Sequence, residues 1–169
     1  DAIAYAVNAL LENNMELAEE ARSAEKEIDK KERDIESLCL KLLLQQQPVA
    51  RDLRQISSAL KMITDMERIG DQAADIAEIL HFTDLSACSG TVHIAEMAEA
   101  TAKMVTESIE AYVKKDEEAV QKVILHDDVV DGLFSKVKSG VIEMLADKSL
   151  EGEQALDLLM IAKYLERIG

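Results

Sequence analysis

This 169-residue chain has no tryptophan, only 3% aromatic residues and a single proline. Without large rings, a core must be built from Leu, Ile, Val, Ala and Met, and the scarcity of turn-forming residues favours an all-α protein. Because 48% of the residues are hydrophobic, the chain also lies well outside the class of disordered proteins. Its length fits one domain of ordinary size with a substantial core.

Long hydrophobic runs are also missing. The longest, LCLKLLL at residues 38–44, is interrupted by Lys41 and is far too short to span a bilayer. No secretory signal is visible. Cys39 and Cys88 form no CxxC motif and show no metal-ligand spacing, and Cys39 lies in an apolar helical stretch that predicts a buried, reduced thiol. These features predict a cytoplasmic protein.

Basic residues are outnumbered, with 19 Lys and Arg against 34 Asp and Glu and a net charge of −15. This balance argues against nucleic acid and anionic lipid as direct partners, and it leaves cations, basic peptides or basic protein surfaces. The chain also contains no nucleophile elbow, phosphate-binding glycine loop or Cys/His pair. The sequence therefore offers no catalytic residues for the reactions that these motifs perform.

An internal duplication organises the chain. The tetrapeptide ERIG occurs at residues 67–70 and again at 166–169, and residues 9–29 align without a gap with residues 111–131. Apolar residues three and four apart around both copies predict helices, separated by a linker at 81–91 that loses this period. We predict two tandem three-helix bundles, residues 1–80 and 92–169. Since the chain does not begin with Met and both ends lie in helical patterns, we expect the first repeat to be shortened at its start and the second at its end.

The glycine of each ERIG copy lies inside a predicted helix. A glycine there costs about 1 kcal/mol relative to alanine. Its recurrence in the same register predicts that a neighbouring helix or a ligand approaches the backbone closely at Gly70 and Gly169.

Acidic residues recur at aligned positions of the two repeats. At helical spacing, acids four residues apart lie on one face of the helix. A carboxylate that is buried where two helices pack together lowers stability unless a positive charge lies beside it. The second and third helices of each repeat should pack side by side, so their acids would converge. The candidate ligands are Glu25, Asp29, Glu67, Asp71 and Asp75 in the first repeat, and Asp127, Asp131 and Glu166 in the second.

Two readings of these acids remain open. They bind a cation, or they are neutralised by Arg68 and Arg167 in a salt-bridged seam. If a metal binds, a carboxylate site without His or Cys suits Mg²⁺, Ca²⁺, Mn²⁺ or iron better than a structural Zn²⁺ site, although Zn²⁺ stays among the candidates. His93 and His126 are expected to be ordinary helix residues.

A different class of protein, the ferritin-like di-iron carboxylate enzymes, is the alternative. Those bundles use two Glu-x-x-His motifs on facing helices, together with two further glutamates. This chain has one such motif, from Glu78 to His81, at the end of a predicted helix. The motif lacks a second copy, which disfavours the di-iron reading.

The strings QQQPVARDLR at residues 45–54 and ALKMITDMERIGDQAADIAE at 59–78, followed by a second LERIG, closely resemble the PhoU family of bacterial phosphate-uptake regulators. The resemblance extends over essentially the whole chain. It implies a cytoplasmic, all-helical protein of two three-helix bundles, usually a homodimer, without enzymatic activity.

The resemblance also implies partners and a role. Such proteins act with the ATPase of the phosphate ABC transporter and with a sensor histidine kinase, which would place this chain at the membrane periphery through its partners. They repress the phosphate-starvation response when phosphate is plentiful. Some bind multinuclear metal clusters through E(D)xxxD motifs, which match the pairs Glu25 with Asp29, Glu67 with Asp71, and Asp127 with Asp131, and the half-motif at Glu166.

Overall fold

A computed structural model describes residues 1–85 and 93–169, and within these ranges the chain forms six helices and no strand. The predicted all-α class is confirmed. The helices are α1 Ala2–Glu12, α2 Met15–Gln46, α3 Arg51–Ile79, α4 Ile94–Lys114, α5 Glu117–Ala146 and α6 Gly152–Ile168.

The helices pack as two groups of three. α1, α2 and α3 contact one another, as do α4, α5 and α6, while α3 also packs on α6 and α1 on α4. One continuous cluster of buried aliphatic side chains includes Leu10, Ile76, Ile94 and Leu158 and thus draws on both groups. The two three-helix bundles therefore share a core. The residue limits of the repeats stay a prediction, because residues 86–92, which hold most of the expected linker, lie outside the described residues.

The duplication extends to the geometry of the turns. Asn13 ends α1 with a φ of 49°, and Asn14 caps α2 by accepting a hydrogen bond of 2.9 Å from the backbone N–H two residues later. In the second repeat Lys115 ends α4 with a φ of 56°, and the Asp116 carboxylate accepts two backbone hydrogen bonds of 3.0 Å at the start of α5. In each turn, a residue in the left-handed conformation ends one helix, and the side-chain oxygen of the next residue caps the following helix.

On α2, Ala21 and Cys39 are buried, whereas Ile35 and Leu42 are exposed. α2 has 32 residues and α1 has 11, so the two helices are about 48 and 16 Å long. α1 therefore covers only part of the hairpin formed by α2 and α3.

Both ERIG glycines face a neighbouring helix, as expected. A Cβ added at Gly70 would lie 3.0 Å from Ile28 Cδ1, and one added at Gly169 would lie 3.4 Å from Val130 Cγ1. Ile28 and Val130 occupy equivalent positions of the aligned repeats, 102 residues apart. The missing side chain allows α3 and α6 to approach α2 and α5 closely.

This packing predicts opposite outcomes for two Gly-to-Ala substitutions. Gly132 lies within α5, and an added Cβ would meet nothing within 4 Å, so Gly132→Ala should stabilise the fold by about 0.5–1 kcal/mol. At Gly70 the clash with Ile28 should cancel that gain, and Gly70→Val should cost about 1–3 kcal/mol through overpacking. Urea unfolding measures both effects. Equal stabilisation by the two alanine variants would contradict the close contact at Gly70.

Candidate metal centre

Three acidic side chains converge where α2 and α3 pack together. Glu25 and Asp29 lie one turn apart on α2, and Asp71 faces them from α3. One carboxylate oxygen from each residue lies within 4.8 Å of the others. Glu25 and Asp29 are half-buried, whereas Asp71 is exposed. The structure thus gathers three of the eight candidate ligands at the solvent edge of the first bundle.

The electrostatics of this group are repulsive. The pKa of Glu25 is raised by burial and then by the charges of Asp29 and Asp71. The pKa of Glu67 is raised by burial, and further by Asp71, Asp29 and Glu32. Glu67 therefore belongs to the same electrostatic cluster, although its oxygens lie outside the close group of three. We call Glu25, Asp29, Glu67 and Asp71 the acidic cluster.

The arginines considered as alternative counter-charges offset this cluster only in part, since the Arg68 charge lowers the pKa of Glu67 but ranks after burial and three neighbouring acids. Arg68 forms its ion pair with Asp65 at 3.5 Å, and Arg167 has no carboxylate within 4 Å in the described part of the chain. The nearest ion pair joins Arg33 to Asp29 at 3.9 Å, with the arginine largely exposed. Such an exposed pair contributes roughly 0–1 kcal/mol. The salt-bridged reading is therefore poorly satisfied in the first repeat.

The donor set fits a hard cation. Carboxylate oxygens bind Ca²⁺ at about 2.3–2.6 Å, so two ligands on opposite sides of one ion are separated by roughly 5 Å. The 4.8 Å limit on the oxygens of Glu25, Asp29 and Asp71 agrees with that spacing. When bound, a cation would offset the negative charge and link α2 to α3. The side chains themselves would orient their oxygens and leave the exposed side open to water.

Asp75 continues the acidic row on α3 but is directed toward the second bundle. Its pKa is raised by burial and by the charges of Asp71 and Glu78, while a hydrogen bond donated by the Tyr164 hydroxyl acts in the opposite direction. The same contact, after burial, raises the pKa of Tyr164. Asp75 therefore connects the row of acids to α6. The duplication could not point to Tyr164, because the aligned position of the first repeat carries Asp65.

The candidate acids of the second repeat have different surroundings. Asp127 and Asp131 are exposed on α5, and Glu166 is half-buried on α6, where its carboxylate forms an ion pair with Lys163. The Lys163 ammonium lies 5.4 Å from the centre of the Phe134 ring. In residues 1–85 and 93–169, no second group of three acids comes as close together as the first. The metal site in the second repeat stays a prediction.

The histidines contact single carboxylates. His81 lies 3.4 Å from Glu19, a residue outside its Glu-x-x-His motif. His126 lies 3.1 Å from Glu107, and His93 lies 3.1 Å from Glu96. None of the three histidines is part of the acidic cluster.

Comparison with known proteins identifies relatives over the whole chain. A family model described as "PhoU domain" matches residues 1–80 and 94–169. A protein of Aquifex aeolicus named phosphate-specific transport system accessory protein PhoU homolog is 34% identical over 168 residues, covering 99% of this chain and 76% of its own length. A homologue of the same name from Clostridium acetobutylicum is 31% identical, covering 96% of this chain and 75% of its own.

The fold has a counterpart among solved structures. The crystal structure of PhoU from Pseudomonas aeruginosa superposes with a TM-score of 0.90 at 29% identity, covering 99% of this chain and 81% of that one. In the part of the chain that the structure describes, no helix combines the length and apolar character needed to cross a membrane.

Proposed function

The chain belongs to the PhoU family, and from this membership we propose that it is a non-enzymatic accessory protein of phosphate transport that restrains phosphate uptake and represses the phosphate-starvation response. The observation that carries the proposal is the match over nearly the whole chain to relatives named for the phosphate-specific transport system. The same fold at a TM-score of 0.90 supports it.

The proposed partners are the ATPase of the phosphate ABC transporter and a sensor histidine kinase, met in the cytoplasm by a homodimer. The names of the relatives associate them with the transporter. In this role the protein changes the activity of its partners through contact, and its own side chains perform no reaction.

We further propose that the acidic cluster binds Ca²⁺, Mg²⁺, Mn²⁺ or iron. The support is the close approach of three carboxylates, together with the burial and the neighbouring acids that raise the pKa of Glu25 and of Glu67. A bound cation would fix α3 against α2. It would thereby stabilise the first bundle. Because α3 also packs on α6, this stabilisation would extend to the contact with the second bundle.

Deletion of the gene tests the regulatory role. In medium rich in phosphate, the deletion strain should express its phosphate-starvation genes, because the repressing contact is lost. A plasmid carrying the wild-type gene should restore repression, and in phosphate-poor medium both strains should express these genes equally. Silence of the genes in the deletion strain at high phosphate would contradict the proposal. Co-purification of the transporter ATPase and the sensor kinase with the tagged protein tests the partners.

A further inference from the structure

An exposed apolar patch lies where α5 and α6 approach the turn that joins them. It consists of Ile142 and Leu145 near the end of α5 and of Leu156 and Met160 in the first half of α6. Ile142 is 56% exposed and Leu156 is 65% exposed. These two residues come seven positions before and after Ser149, so they lie at the same level of the antiparallel helix pair. We call the four apolar residues the α5–α6 patch.

The contact between α5 and α6 shows that the patch lies on one side of the helix pair. The Lys163 ammonium lies over the Phe134 ring. From Phe134, steps of four residues along α5 lead to Ile142. From Lys163, steps of three and four residues back along α6 lead through Met160 to Leu156. Residues at these spacings share a helix face, so both rows run from the contact toward the turn on the same side.

The patch is remote from both Asp1 and Gly169. Met160 precedes Gly169 by nine residues, or about 14 Å along α6, and the rest of the patch lies nearer the turn. The chain just after α3 lies beside the start of α6, where the Thr83 hydroxyl donates a hydrogen bond to Asp157. Because α1 and α3 both run antiparallel to α2, the start of α1 lies at the far end of the first bundle from this contact.

The surroundings of the patch are close to neutral in an acidic protein. From Phe134 to Lys163 there are four lysines and five acids, a net charge of −1, whereas the whole chain carries −15. Two copies of so acidic a chain repel each other over most of their surface, and a nearly neutral face removes that obstacle. A strongly basic partner would instead be attracted to the acidic remainder of the surface. The local charge therefore favours a second copy of this chain as the occupant.

One lysine and one glutamate at different levels of the patch make it self-complementary. Lys138 lies one turn before Ile142, and Glu153 lies one turn before Leu156. Both are exposed, and neither has an ion-pair partner within 4 Å among residues 1–85 and 93–169. Their positions relative to Ser149 place them about 10 Å apart along the helix pair. A copy related by a two-fold axis can bring its Glu153 to Lys138, and symmetry then forms this pair twice.

We propose that the α5–α6 patch is the dimer interface, docking the same patch of a second copy across a two-fold axis. The apolar side chains form its centre, and Lys138 and Glu153 of opposite copies pair at its rim. Exposed apolar patches with a polar rim mark interaction sites, and homodimer interfaces have apolar centres in which methionine is enriched. The inference gives the homodimer proposed above its contact surface and in that sense rests on it. The acidic cluster on α2 and α3 stays outside this interface.

Sedimentation equilibrium tests the paired charges. The wild-type protein should show a monomer–dimer equilibrium. Lys138→Glu and Glu153→Lys should each raise the dimer dissociation constant by about tenfold or more, because each places like charges opposite one another twice in the dimer. Lys138→Glu with Glu153→Lys restores opposite charges and the wild-type net charge. This combination should return the dissociation constant to within about threefold of wild type.

A pair of isoleucine substitutions tests the apolar centre. Ile142→Glu should raise the dissociation constant by about tenfold or more, because it buries a charge in the interface. The matched control is Ile124→Glu on the same helix, since Ile124 is 58% exposed and lies 18 residues, or about 27 Å, away. It should leave the dissociation constant within about twofold. Below that constant, where the protein is monomeric, both substitutions should leave the melting temperature within about 2 °C.

Four outcomes would overturn the proposal, each in a different way. Equal weakening by Ile124→Glu would show that only net charge matters. A dimer that Lys138→Glu and Ile142→Glu leave intact would place the interface elsewhere, and the homodimer itself would stand. A wild-type protein that stays monomeric at every concentration would remove both the interface and the homodimer. Failure of the combined charge exchange to restore association would show that Lys138 and Glu153 do not pair. Restoration of repression in the deletion strain judges the regulatory role separately.

Discussion

Replacing Glu25 with Gln and Asp71 with Asn should raise the melting temperature of the metal-free protein and lower it, relative to wild type, when Ca²⁺ or Mn²⁺ is present. Without a cation, Asp29 and Asp71 repel Glu25, and after burial their charges raise its pKa. Removing two charges relieves that repulsion. With a cation, the same carboxylates are its ligands, so removing them abolishes the stabilisation that binding provides.

The metal-dependent part of the effect is large. A ligand at 100 times its Kd stabilises the native state by about 2.7 kcal/mol. For a chain of this length, each kcal/mol shifts the melting temperature by about 2–4 °C, so wild type should gain about 5–10 °C. Thermal unfolding followed by circular dichroism, with chelator or with added metal, measures the gain, and elemental analysis measures the bound ion.

The pH dependence of the metal-free protein checks the same repulsion. Burial and neighbouring acids raise the folded-state pKa of Glu25 above its ordinary value of 4.5, and that of Glu67 likewise. The stabilisation that these raised pKa values provide is therefore fully present at a pH below the ordinary pKa of 4.5. It is lost as the pH rises through the raised pKa values of the folded state. Metal-free wild type should lose this contribution over that interval, and Glu25→Gln with Asp71→Asn should lose less.

A control with the same change in charge separates local from global effects. Asp34→Asn with Glu36→Gln removes two exposed acids from α2 outside the acidic cluster. This variant should keep the full response to metal. If both double variants respond alike, net charge explains the result. If Glu25→Gln with Asp71→Asn destabilises the protein even in chelator, these acids form favourable ion pairs and the metal assignment is wrong.

The features shared by the two repeats were predictable because both copies carry the same residues at equivalent positions. The ERIG glycines were expected to lie against a neighbouring helix, and they face Ile28 and Val130 at equivalent positions. A glycine in a helix is a local signal whose physical cause is the space beside it. The convergence of Glu25, Asp29 and Asp71 followed from helical spacing once α2 and α3 were placed side by side.

The difference between the two repeats could not be read from the alignment of their acids. Glu166 matches Glu67 in the duplication, yet it pairs with Lys163, and Phe134 stands where the first repeat carries Glu32. The net charge around a site also depends on residues from other helical turns. Those residues differ between the two repeats. The hydrogen bond between Tyr164 and Asp75 likewise depends on how α6 meets α3.

The contact between the two bundles leads to the second large prediction. Leu158 of α6 is fully buried in the continuous core, with 0% exposure. Leu158→Ala should destabilise the protein by about 2–5 kcal/mol, because it removes apolar contacts and leaves a cavity. The melting temperature should fall by about 4–20 °C. Leu156→Ala is the matched control on the same helix, since Leu156 is 65% exposed, and it should change stability by about 0.5 kcal/mol or less.

The shape of the unfolding transition tests the shared core itself. Because α3 packs on α6 and α1 on α4, loss of the second bundle would expose apolar surface of the first. Both bundles should therefore unfold in one cooperative transition, and Leu158→Ala should move the whole of it. Hydrogen exchange should report the same loss of protection in α3 as in α6. Two separate transitions, with α3 unaffected by Leu158→Ala, would show that the bundles are stable independently and that their contact contributes little to the fold.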